Sequence, residues 1–472
     1  STVPTIGVGE STIGHINQFL HLLKLKDEEW MPHCNATYKT SIKFIDFREN
    51  PTEKPHTFHY PFGPIDTAGN KYAKNDWYLK KFMYPDTPLS DYADNVYPIM
   101  SLVNANRISL EDNIVPGFKF SRDVAYHFDA VKFAIWLRDH FAVPKGVKHI
   151  QALVKDIGTD ENGIRKLVLD NGHEIYADLF IDCTGFRSIL LGGAMGEEFV
   201  SYSDILPNNS AWAAQVPYTD KKKQIVPYTD CHAIGNGWVW RIPLWSRLGM
   251  GYVYSDKYID DAAALQEFKD HLSEYNLLRE DQHFHKIKFK AGIYERVWVK
   301  NVAAIGLSAG FIEPLESNGL YSVHMFLVRL IRALDRDSDE HLVTQFDRDS
   351  YNWACRILFD NFAQFVAMHY SLSRRQDTPY WQAQFNKDFF ATAKGPAPST
   401  FTQVVDNRAF TWNAPITGGY AWIQTGMNYF PTDKANIIAH NHPAPNDTEL
   451  DIICQALTSQ LNAKKDRWKN TI

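Results

Sequence analysis

The sequence predicts a mixed α/β (α+β) fold, with a sheet-based module, an aromatic-rich second module interwoven with it and a helical C-terminal portion. Residues 177–183 have the pattern of a buried strand that ends in a glycine turn at Gly185, at the carboxyl end where open α/β sheets bind ligands. An apolar run at 301–305 precedes a long polar loop and an apolar helical run at 320–334. Because no low-complexity linker separates these parts, we expect interleaved modules rather than separate domains.

The composition excludes several classes of protein. The chain has 472 residues, a formal net charge of −6 and 44% hydrophobic residues, which is typical of a large globular protein. This charge, without a long basic run, gives no general attraction to nucleic acid or to an anionic membrane, so we expect neither partner. The aromatic content of 14% suits a protein that binds flat, apolar ligands.

The cysteines and the apolar runs indicate the compartment. The five cysteines lie far apart, with neither CxxC nor Cys/His ligand spacing, so the sequence predicts no disulfide framework and no metal site. No run approaches the roughly 18 apolar residues of a membrane span, and no signal-peptide pattern opens the chain. We therefore expect a cytoplasmic protein. The sequence leaves the oligomeric state open, a homo-oligomer included.

A glycine-containing loop precedes the first predicted helix, at 16–25. Its residues are Gly7, Val8, Gly9, Glu10, Ser11 and Thr12. Glycines here would let the backbone approach a ligand closely, although a tight loop without a ligand has the same pattern. A dinucleotide-binding unit begins with a strand and a GxGxxG turn, which this sequence lacks. We expect that first βα unit to precede Ser1 in the protein.

The segment after this helix contains a strand and an aromatic excursion. Alternation at 42–47 indicates a strand just after Lys39, which from local sequence alone is an ordinary surface lysine. The aromatic, turn-rich stretch that contains His59 and Phe62 is predicted to leave the main fold.

The middle of the chain is predicted from periodicity and turn residues. A helix is predicted from residue 125 to about 141, and Asn171-Gly172 predicts a hairpin turn. The sequence VPYTD occurs at 216–220 and again at 226–230, on either side of three lysines. We interpret the two copies as the arms of one hairpin with a solvated tip.

A strand with two tryptophans follows. Residues 236–243 alternate in polarity, with Trp238 and Trp240 on one face, and 249–254 is predicted to pair with them. Two tryptophans on one face usually belong to a core.

The stretch 306–321 has the clearest pattern of a binding site. Ser317 stands where the N-cap of the following helix is expected. The amides of Asn318 and Gly319 would then lie in the first turn, unpaired and at the positive end of the helix dipole, where an anion is favoured. Glu313 and Glu316 would repel that anion unless they point away, so we expect a second chamber beside it. A capped core helix after an ordinary loop would show the same pattern.

Five segments follow one another in a recognisable order. They are GVGEST at 7–12, EEWMP…YK ending at Lys39, AYHFDA at 125–130, WVWRIP at 238–243 and EPLESNG at 313–319. Together they resemble the flavin-dependent halogenases of the tryptophan-halogenase type. The similarity extends from Ile6 to about Trp381, and the WxWxIP motif is fairly specific by itself.

The resemblance implies a flavin monooxygenase-like FAD-binding module with an aromatic-rich substrate lobe woven into it. We assign the discontinuous FAD-binding module to residues 1–50, 120–190 and 295–335. The substrate-binding lobe is assigned to residues 51–119, 191–294 and 336–472.

The resemblance also implies roles for individual residues. Lys39, Glu316 and Ser317 would be catalytic, with Ser317 bridging the lysine and the flavin, and the amides of Asn318 and Gly319 would bind halide. The residues implied near FAD are Gly7, Val8, Gly9, Glu10, Ser11, Thr12, Cys183, Thr184, Gly185, Ile305 and Gly306. The wall between the flavin and the organic substrate would consist of Trp238, Trp240, Ile242 and Pro243. Contacts to the substrate would come from His59, Phe62 and Tyr420.

The chemistry that the resemblance implies is electrophilic aromatic halogenation. A separate flavin reductase would supply FADH2, since no NAD(P)H fingerprint is visible, and FADH2, O2 and chloride, bromide or iodide would give hypohalous acid. Lys39 would relay this oxidant, either through a hydrogen bond from its ammonium group or as a haloamine. Glu316 would polarise the oxidant or take up the proton that the ring loses. A flavin-dependent aromatic hydroxylase and a catalytically silent flavin-binding protein are the alternatives.

The C-terminal part departs from the pattern of tryptophan-specific members. The segment Gly419-Tyr420-Ala421 keeps only one of the two adjacent tyrosines that hold the amino acid, and no matching Glu…Phe-Trp segment follows it. The expected substrate is therefore a small, free, electron-rich aromatic compound, indole- or phenol-like, rather than free tryptophan.

Overall fold

The computed structural model describes residues 9–49, 55–63, 81, 84–112, 114–335, 342–385 and 417–428. Gly7, Val8 and the side chain of Tyr420, all predicted to bind ligands, lie outside the described parts of the chain. Within these ranges no helix is long and apolar enough to cross a membrane.

The described strands are short and belong to five sheets. In chain order they are β1 (Glu10–Ser11), β2 (Thr37–Lys39), β3 (Ser41–Ile45), β4 (Thr57–Pro61), β5 (Ala125–Phe128), β6 (Val154–Asp160), β7 (Gly163–Leu169), β8 (Glu174–Ile175), β9 (Phe180–Asp182), β10 (Phe199–Ser201), β11 (Ser210–Val216), β12 (Tyr228–Ile234), β13 (Gly237–Pro243), β14 (Leu248–Tyr254), β15 (His285–Lys288), β16 (Gly292–Tyr294), β17 (Trp298–Val299), β18 (Val302–Ala304) and β19 (Gly310–Phe311).

The described helices vary from single turns to one long helix. In chain order they are α1 (Ile16–Leu23), α2 (Asp27–Trp30), α3 (Asp91–Val96), α4 (Ile99–Asn104), α5 (Phe120–Asp123), α6 (Ala130–Trp136), α7 (Lys221–Gln224), α8 (Asp261–Glu274), α9 (Gly319–Leu334), α10 (Gln345–Ser371), α11 (Pro379–Gln382) and α12 (Thr417–Gly426). The mixed α/β fold that the sequence predicts is confirmed.

The largest sheet has seven strands in the order β15-β11-β14-β13-β12-β3-β4. Neighbouring strands are antiparallel except for β12 and β3, which are parallel. The predicted pairing of 236–243 with 249–254 is confirmed, and Trp240 lies opposite Gly251. Trp238 and Trp240 are both buried. The sheet thus holds the buried aromatic pair of β13 between two paired strands.

A second sheet, in the order β1-β5-β2, corrects the prediction of a helix from residue 125. Residues Ala125–Phe128 are a strand because both of its edges find partners: Ser11 pairs with His127, and Lys39 pairs with Ala125. Its four side chains are buried. The helix begins only at Ala130, where the Asp129 side chain caps it by accepting a hydrogen bond from the Lys132 amide.

The prediction that the two VPYTD copies form one hairpin is wrong. Strand β11, which ends at Val216, pairs with β14 and β15, whereas β12 begins at Tyr228 and pairs with β13 and β3. The lysines between the copies belong to the short helix α7 and are exposed. Long-range partners therefore decide where each copy lies.

The strands predicted at 177–183 and 301–305 are confirmed as β9 and β18, and they are adjacent and parallel. Between them, the Ile305 amide donates to the Asp182 carbonyl at 3.0 Å. The turns that follow the two strands are joined because Ser188 Oγ donates to the Ser308 carbonyl at 2.8 Å. Two predicted cofactor segments are thereby brought to one edge of a sheet, as the sequence suggests. The hairpin turn at Asn171-Gly172 is confirmed between β7 and β8.

Helices α9 and α10 pack against the loop that precedes α9. The helix predicted at 320–334 is confirmed, and it contacts α10 through the rings of Tyr321 and Phe362, 5.4 Å apart. Helix α10 has 27 residues and is buried over its last two turns. His369 lies on this buried part, behind the loop that contains Glu316.

The close approach of Trp240 to β14 generates a prediction about Gly251. A Cβ atom at this position would lie 2.2 Å from Trp240 Cζ2 and 2.7 Å from the Trp212 carbonyl. We expect Gly251→Ala to lower the free energy of unfolding by about 1–3 kcal/mol, because a well-packed interior resists added volume. Urea unfolding measures this. Gly193→Ala is the control, since its Cβ would lie 3.7 Å from the nearest atom; equal losses in both variants would contradict the packing of Trp240.

Candidate functional site

Lys39 is a fully buried lysine at the end of β2. Its Nζ donates to the Thr12 carbonyl at 2.9 Å and to Ser317 Oγ at 2.8 Å. In the third direction the amine faces the Phe62 ring, whose centre lies 4.9 Å away. Burial lowers the pKa of Lys39 to about 7. This lysine is therefore held in one geometry, and both of its protonation states are accessible near neutral pH.

A chain of hydrogen-bonded hydroxyl groups fixes the Ser317 side chain. Ser317 Oγ donates to Ser11 Oγ at 3.1 Å, and Ser11 Oγ lies 2.7 Å from Thr229 Oγ1. Thr229 Oγ1 lies 2.8 Å from His127 Nε2. Because the hydroxyl hydrogen of Ser317 is directed to Ser11, its lone pairs remain for Lys39. The chain thus couples the loop of Ser11, strand β5 and strand β12 to the lysine.

Ser317 is not the N-cap that its sequence position predicts. Its backbone lies in the left-handed region, with φ of 55°, and Asn318 occupies the N-cap position without a side-chain hydrogen bond. The physical reason is that Ser317 Oγ already binds Lys39 and Ser11, so it is not available to the amides of the helix. The hydroxyl that was expected to cap the helix therefore belongs to the lysine site.

The start of α9 nevertheless keeps the features expected of an anion site. Within the described residues, the amides of Asn318 and Gly319 donate to no protein acceptor. A Cβ atom at Gly319 would meet nothing within 4 Å, and the buried side-chain nitrogen of Asn318 has no partner in the described ranges. Donors that face open space at the positive end of a helix fit a halide ion and a flat cofactor beside it.

Glu313 and Glu316, which flank this start, both point away from it. Glu313 accepts hydrogen bonds from Asn208 Nδ2 at 2.9 Å, from Trp238 Nε1 at 3.3 Å and from the Tyr370 hydroxyl. Burial raises the pKa of Glu313 to about 7. Glu316 is directed to His369, with Oε1 2.7 Å from Nε2. Both carboxylates therefore face away from the start of α9, as the sequence analysis expects.

The residues predicted to form the wall lie along β13. Glu313 fixes the Trp238 indole, and the Trp238 and Trp240 rings have their centres 6.2 Å apart. Ile242 reaches the loop of Gly9, where a Cβ atom would lie 3.4 Å from Ile242 Cγ2. The Pro243 carbonyl accepts a hydrogen bond from Thr37 Oγ1 at 2.6 Å. One strand therefore connects the Glu313 network with the glycine loop.

The other residues predicted near the cofactor lie around two glycine turns. Asp182 Oδ1 accepts hydrogen bonds from the Thr184 amide and hydroxyl, while Cys183 is exposed. Gly185 and Gly306 have positive φ of 70° and 74°, and a Cβ atom at Gly185 would meet nothing within 4 Å. Ile305 is buried beneath them. Such an open edge, where two parallel strands end, fits a flavin.

The structure separates two of the predicted substrate contacts. Phe62 lies over Lys39, as described above, but His59 lies on the other face of β4, where it contacts Ser41 Oγ and the Tyr228 ring. The ring that accompanies Phe62 is Tyr60, with centres 5.9 Å apart. Sequence reasoning missed Tyr60, although the alternation of a strand would have grouped it with Phe62.

Sequence reasoning also missed a cavity of about 810 Å³, which lies against the segment that follows β18. Its lining includes Leu307, Gly310 and Phe311 from that segment. Phe289 and Asn208 from other parts of the chain also line it. Asn208 also binds Glu313, so this cavity and the Trp238 network share a side chain. Its size suits a flat ring system, and its lining is partly apolar and partly polar.

Titration of Lys39 predicts a pH-dependent stability. The pKa of this group falls from 10.5 in the unfolded chain to about 7 in the fold, so the unfolded state binds more protons between these values. We expect the free energy of unfolding of the wild type to rise across this window relative to Lys39→Met, by at most about 1.4 kcal/mol per pH unit. Urea unfolding at several pH values measures the difference. Equal slopes for the two proteins would contradict the burial of the amine.

Comparison with known proteins identifies the family. The model of the tryptophan halogenase family matches residues 1–441. The tryptophan 6-halogenase ThaL of Streptomyces albogriseolus is 32% identical over 479 residues, covering 95% of this chain and 87% of that protein. The tryptophan 7-halogenase RebH of Lentzea aerocolonigenes is 35% identical over 394 residues, covering 81% of this chain and 72% of that protein.

Solved structures give the same result. The apo structure of VirX1 has 39% identity and a TM-score of 0.87, covering 99% of this chain and 91% of that one. Tar14, a tryptophan C-6 flavin-dependent halogenase from taromycin biosynthesis, has 30% identity and a TM-score of 0.81, covering 100% and 91%. The chain therefore belongs to the tryptophan halogenase family, and it is a flavin-dependent halogenase that uses FADH2, O2 and halide to halogenate an aromatic substrate.

Proposed function

We propose that this halogenase acts on a small, free, electron-rich aromatic compound of the indole or phenol class, and that Lys39 presents the electrophilic halogen to it. The observation that carries the proposal is the position of Lys39 Nζ, which is held by Thr12 and Ser317 and faces the Phe62 ring. FADH2, with O2 and halide, supplies hypohalous acid as the oxidant. A separate flavin reductase is needed to supply FADH2.

Two of the three directions around Lys39 Nζ are occupied, so the third decides where the halogen is presented. In the ammonium form the third N–H donates a hydrogen bond toward the Phe62 side. In the neutral form the lone pair faces that side and can form a haloamine. Both forms suit the geometry, because the pKa of Lys39 is lowered to about 7. In either form the reacting halogen is oriented over an aromatic ring.

The remaining groups keep the flavin and the organic substrate apart. The free amides of Asn318 and Gly319 bind the halide, and Gly185 and Gly306 leave the flavin room at the sheet edge. Trp238, Trp240, Ile242 and Pro243 separate this region from the aromatic substrate, so that a ring does not meet the flavin and simple hydroxylation is avoided. Small oxidant molecules can still reach Lys39.

The substrate is proposed to stack on aromatic side chains rather than to be held by charged groups. Phe62, which directly follows β4, faces Lys39, and its ring contacts that of Tyr60 on β4. Tyr420, in helix α12, is the proposed C-terminal contact. The segment 419–421 retains one tyrosine where tryptophan-specific members use two, so a clamp for the carboxylate of an amino acid is weakened. A flat, uncharged ring suits the sites that remain.

The substrate class is tested with the purified protein, FAD, a flavin reductase, NADH and O2. A panel of indoles, phenols and pyrroles is offered in chloride, bromide or iodide, and free tryptophan is included. We expect products with halogen isotope patterns from simple indoles or phenols. Free tryptophan halogenated far faster than these compounds would overturn the substrate class. Products that gain one oxygen atom would instead indicate a hydroxylase.

The role of Lys39 predicts that flavin oxidation and halogenation can be uncoupled. In Lys39→Ala, reduced flavin should be oxidised at a near-normal rate, whereas ring halogenation should fall by orders of magnitude, because orientation supplies several kcal/mol of barrier lowering. Glu316→Gln should lose less, about 10²–10⁴-fold, as expected for one proton-transfer group. The measurement is halogenated product per flavin oxidised.

Lys43→Ala is the matched control for this comparison. Lys43 also places its amine near an aromatic ring, 5.7 Å from the centre of Tyr228, but it lies on β3 and is only half-buried. Its product yield per flavin should equal that of the wild type. Equal yields in wild type and Lys39→Ala would contradict the catalytic role of Lys39 and leave it only a structural one.

A further inference from the structure

We propose that His369 is the positioning partner of Glu316, holding one carboxylate oxygen so that the other receives the proton that the aromatic ring loses. The inference rests on the proposed function of Glu316 and adds a residue that sequence reasoning did not select. His369 does not touch the substrate in this account. It acts through the carboxylate.

The contact between the two side chains requires a shared proton. His369 Nε2 lies 2.7 Å from Glu316 Oε1, and both side chains are at most 1% exposed. His369 Nδ1 lies 3.0 Å from the Phe365 carbonyl, which can only accept, so Nδ1 carries a hydrogen. A neutral imidazole would then present a bare Nε2 to a bare carboxylate. The pair does not meet the geometry of a hydrogen bond, but two unprotonated acceptors 2.7 Å apart would repel each other, so the close contact points to a proton shared between Nε2 and Oε1.

The imidazole is fixed by its surroundings. Its ring lies 5.0 Å from the Phe44 ring and 5.4 Å from the Phe365 ring, centre to centre. The hydrogen bond to the Phe365 carbonyl belongs to the same turn of α10. His369 therefore cannot rotate without losing both ring packing and a hydrogen bond, and the carboxylate orientation depends on a rigid helix.

The second carboxylate oxygen is left for chemistry. Neither carboxylate oxygen of Glu316 makes a hydrogen bond within the described residues; Oε1 is the one that lies 2.7 Å from His369 Nε2, and Oε2 is buried without a partner. The charge of Glu316 raises the pKa of both Lys39 and Tyr60. At Lys39 it opposes the effect of burial, and at Tyr60 it adds to that effect. The free oxygen thus belongs to a carboxylate beside the lysine that presents the halogen. An unpaired buried acceptor of this kind costs stability, so a proton-accepting role gives it a reason.

The proton balance closes within this group of residues. The ring donates a π electron pair to the halogen of hypohalous acid, the carbon–halogen bond forms, and the halogen–oxygen bond breaks to release hydroxide. The C–H bond at the same carbon then breaks, its electron pair restores the ring, and its proton moves to Glu316 Oε2. Glu316 passes this proton to the hydroxide, which becomes water. The proton between Oε1 and Nε2 stays in place throughout.

The test measures whether loss of the ring proton becomes slow when His369 is removed. Wild type, His369→Phe, His369→Gln and Glu316→Gln are each given equal amounts of unlabelled and ring-perdeuterated indole, and separately phenol, and the products are compared by mass spectrometry. In wild type the isotope effect should be close to unity. In His369→Phe and Glu316→Gln it should rise clearly above unity, and product per flavin oxidised should fall about a hundredfold in His369→Phe.

His369→Gln separates positioning from shape, since its amide N–H can still donate to Glu316 Oε1. We expect it to restore an isotope effect near unity and most of the product yield. His271→Phe is the matched control, because His271 is also buried on a helix among aromatic rings but contacts His232 and Tyr275 instead. It should behave as wild type. If His369→Phe does not fold, as judged by circular dichroism, His369→Leu takes its place because it also lacks a donor.

Two results would overturn the inference and one would overturn the function beneath it. An isotope effect near unity in the folded variant without a donor, together with a raised effect in Glu316→Gln, would remove His369 and leave the halogenase mechanism intact. A raised effect in His369→Gln equal to that of His369→Phe would exclude positioning through the hydrogen bond. Absence of halogenated product from wild type with every probe of the panel would instead refute the proposed substrate class.

Discussion

The structure depends on one buried amine. Lys39 Nζ is held by the Thr12 carbonyl and Ser317 Oγ, and these partners belong to the first described loop and to the segment before α9. Burying a lysine is unfavourable, which is why its pKa is lowered to about 7. The surrounding chain of hydroxyls from Ser11 to His127 satisfies the polar groups that this burial creates. The proposed mechanism needs an amine that can change its charge near neutral pH, and burying this amine lowers the stability of the fold.

The same interaction arranges the backbone around it. Since Ser317 serves Lys39, its backbone turns into the left-handed region and the following amides of α9 are left without a cap. A Cβ atom at Gly319 would meet nothing within 4 Å, while Glu313 and Glu316 are directed to Trp238 and His369. One short loop therefore separates the proposed anion-binding side from the proposed proton-transfer side. This division follows from hydrogen-bond satisfaction and requires no moving part.

Sequence reasoning succeeded where a pattern is local and failed where distant partners decide. The strands at 177–183 and 301–305 and the helix at 320–334 have clear periodicity, and they are present. Residues 125–128 are too few to show either period, and pairing with β1 and β2 makes them a strand. Ser317 has the sequence pattern of an N-cap, but its hydroxyl instead accepts a hydrogen bond from Lys39, which is distant in sequence. His369 carries no local signal at all, since its contact with Glu316 exists only after α10 packs behind the loop.

The most direct test of the account is the titration of Lys39 itself. NMR of protein labelled at its lysine side chains, with the Lys39 signal assigned by its absence from Lys39→Met, follows the charge of this one amine as the pH changes. The account predicts that Lys39 titrates near pH 7, as burial between Thr12 and Ser317 requires. Titration at the value of a free lysine, about 10.4, would show that the amine is solvated, and it would contradict the arrangement on which the halogenation mechanism rests.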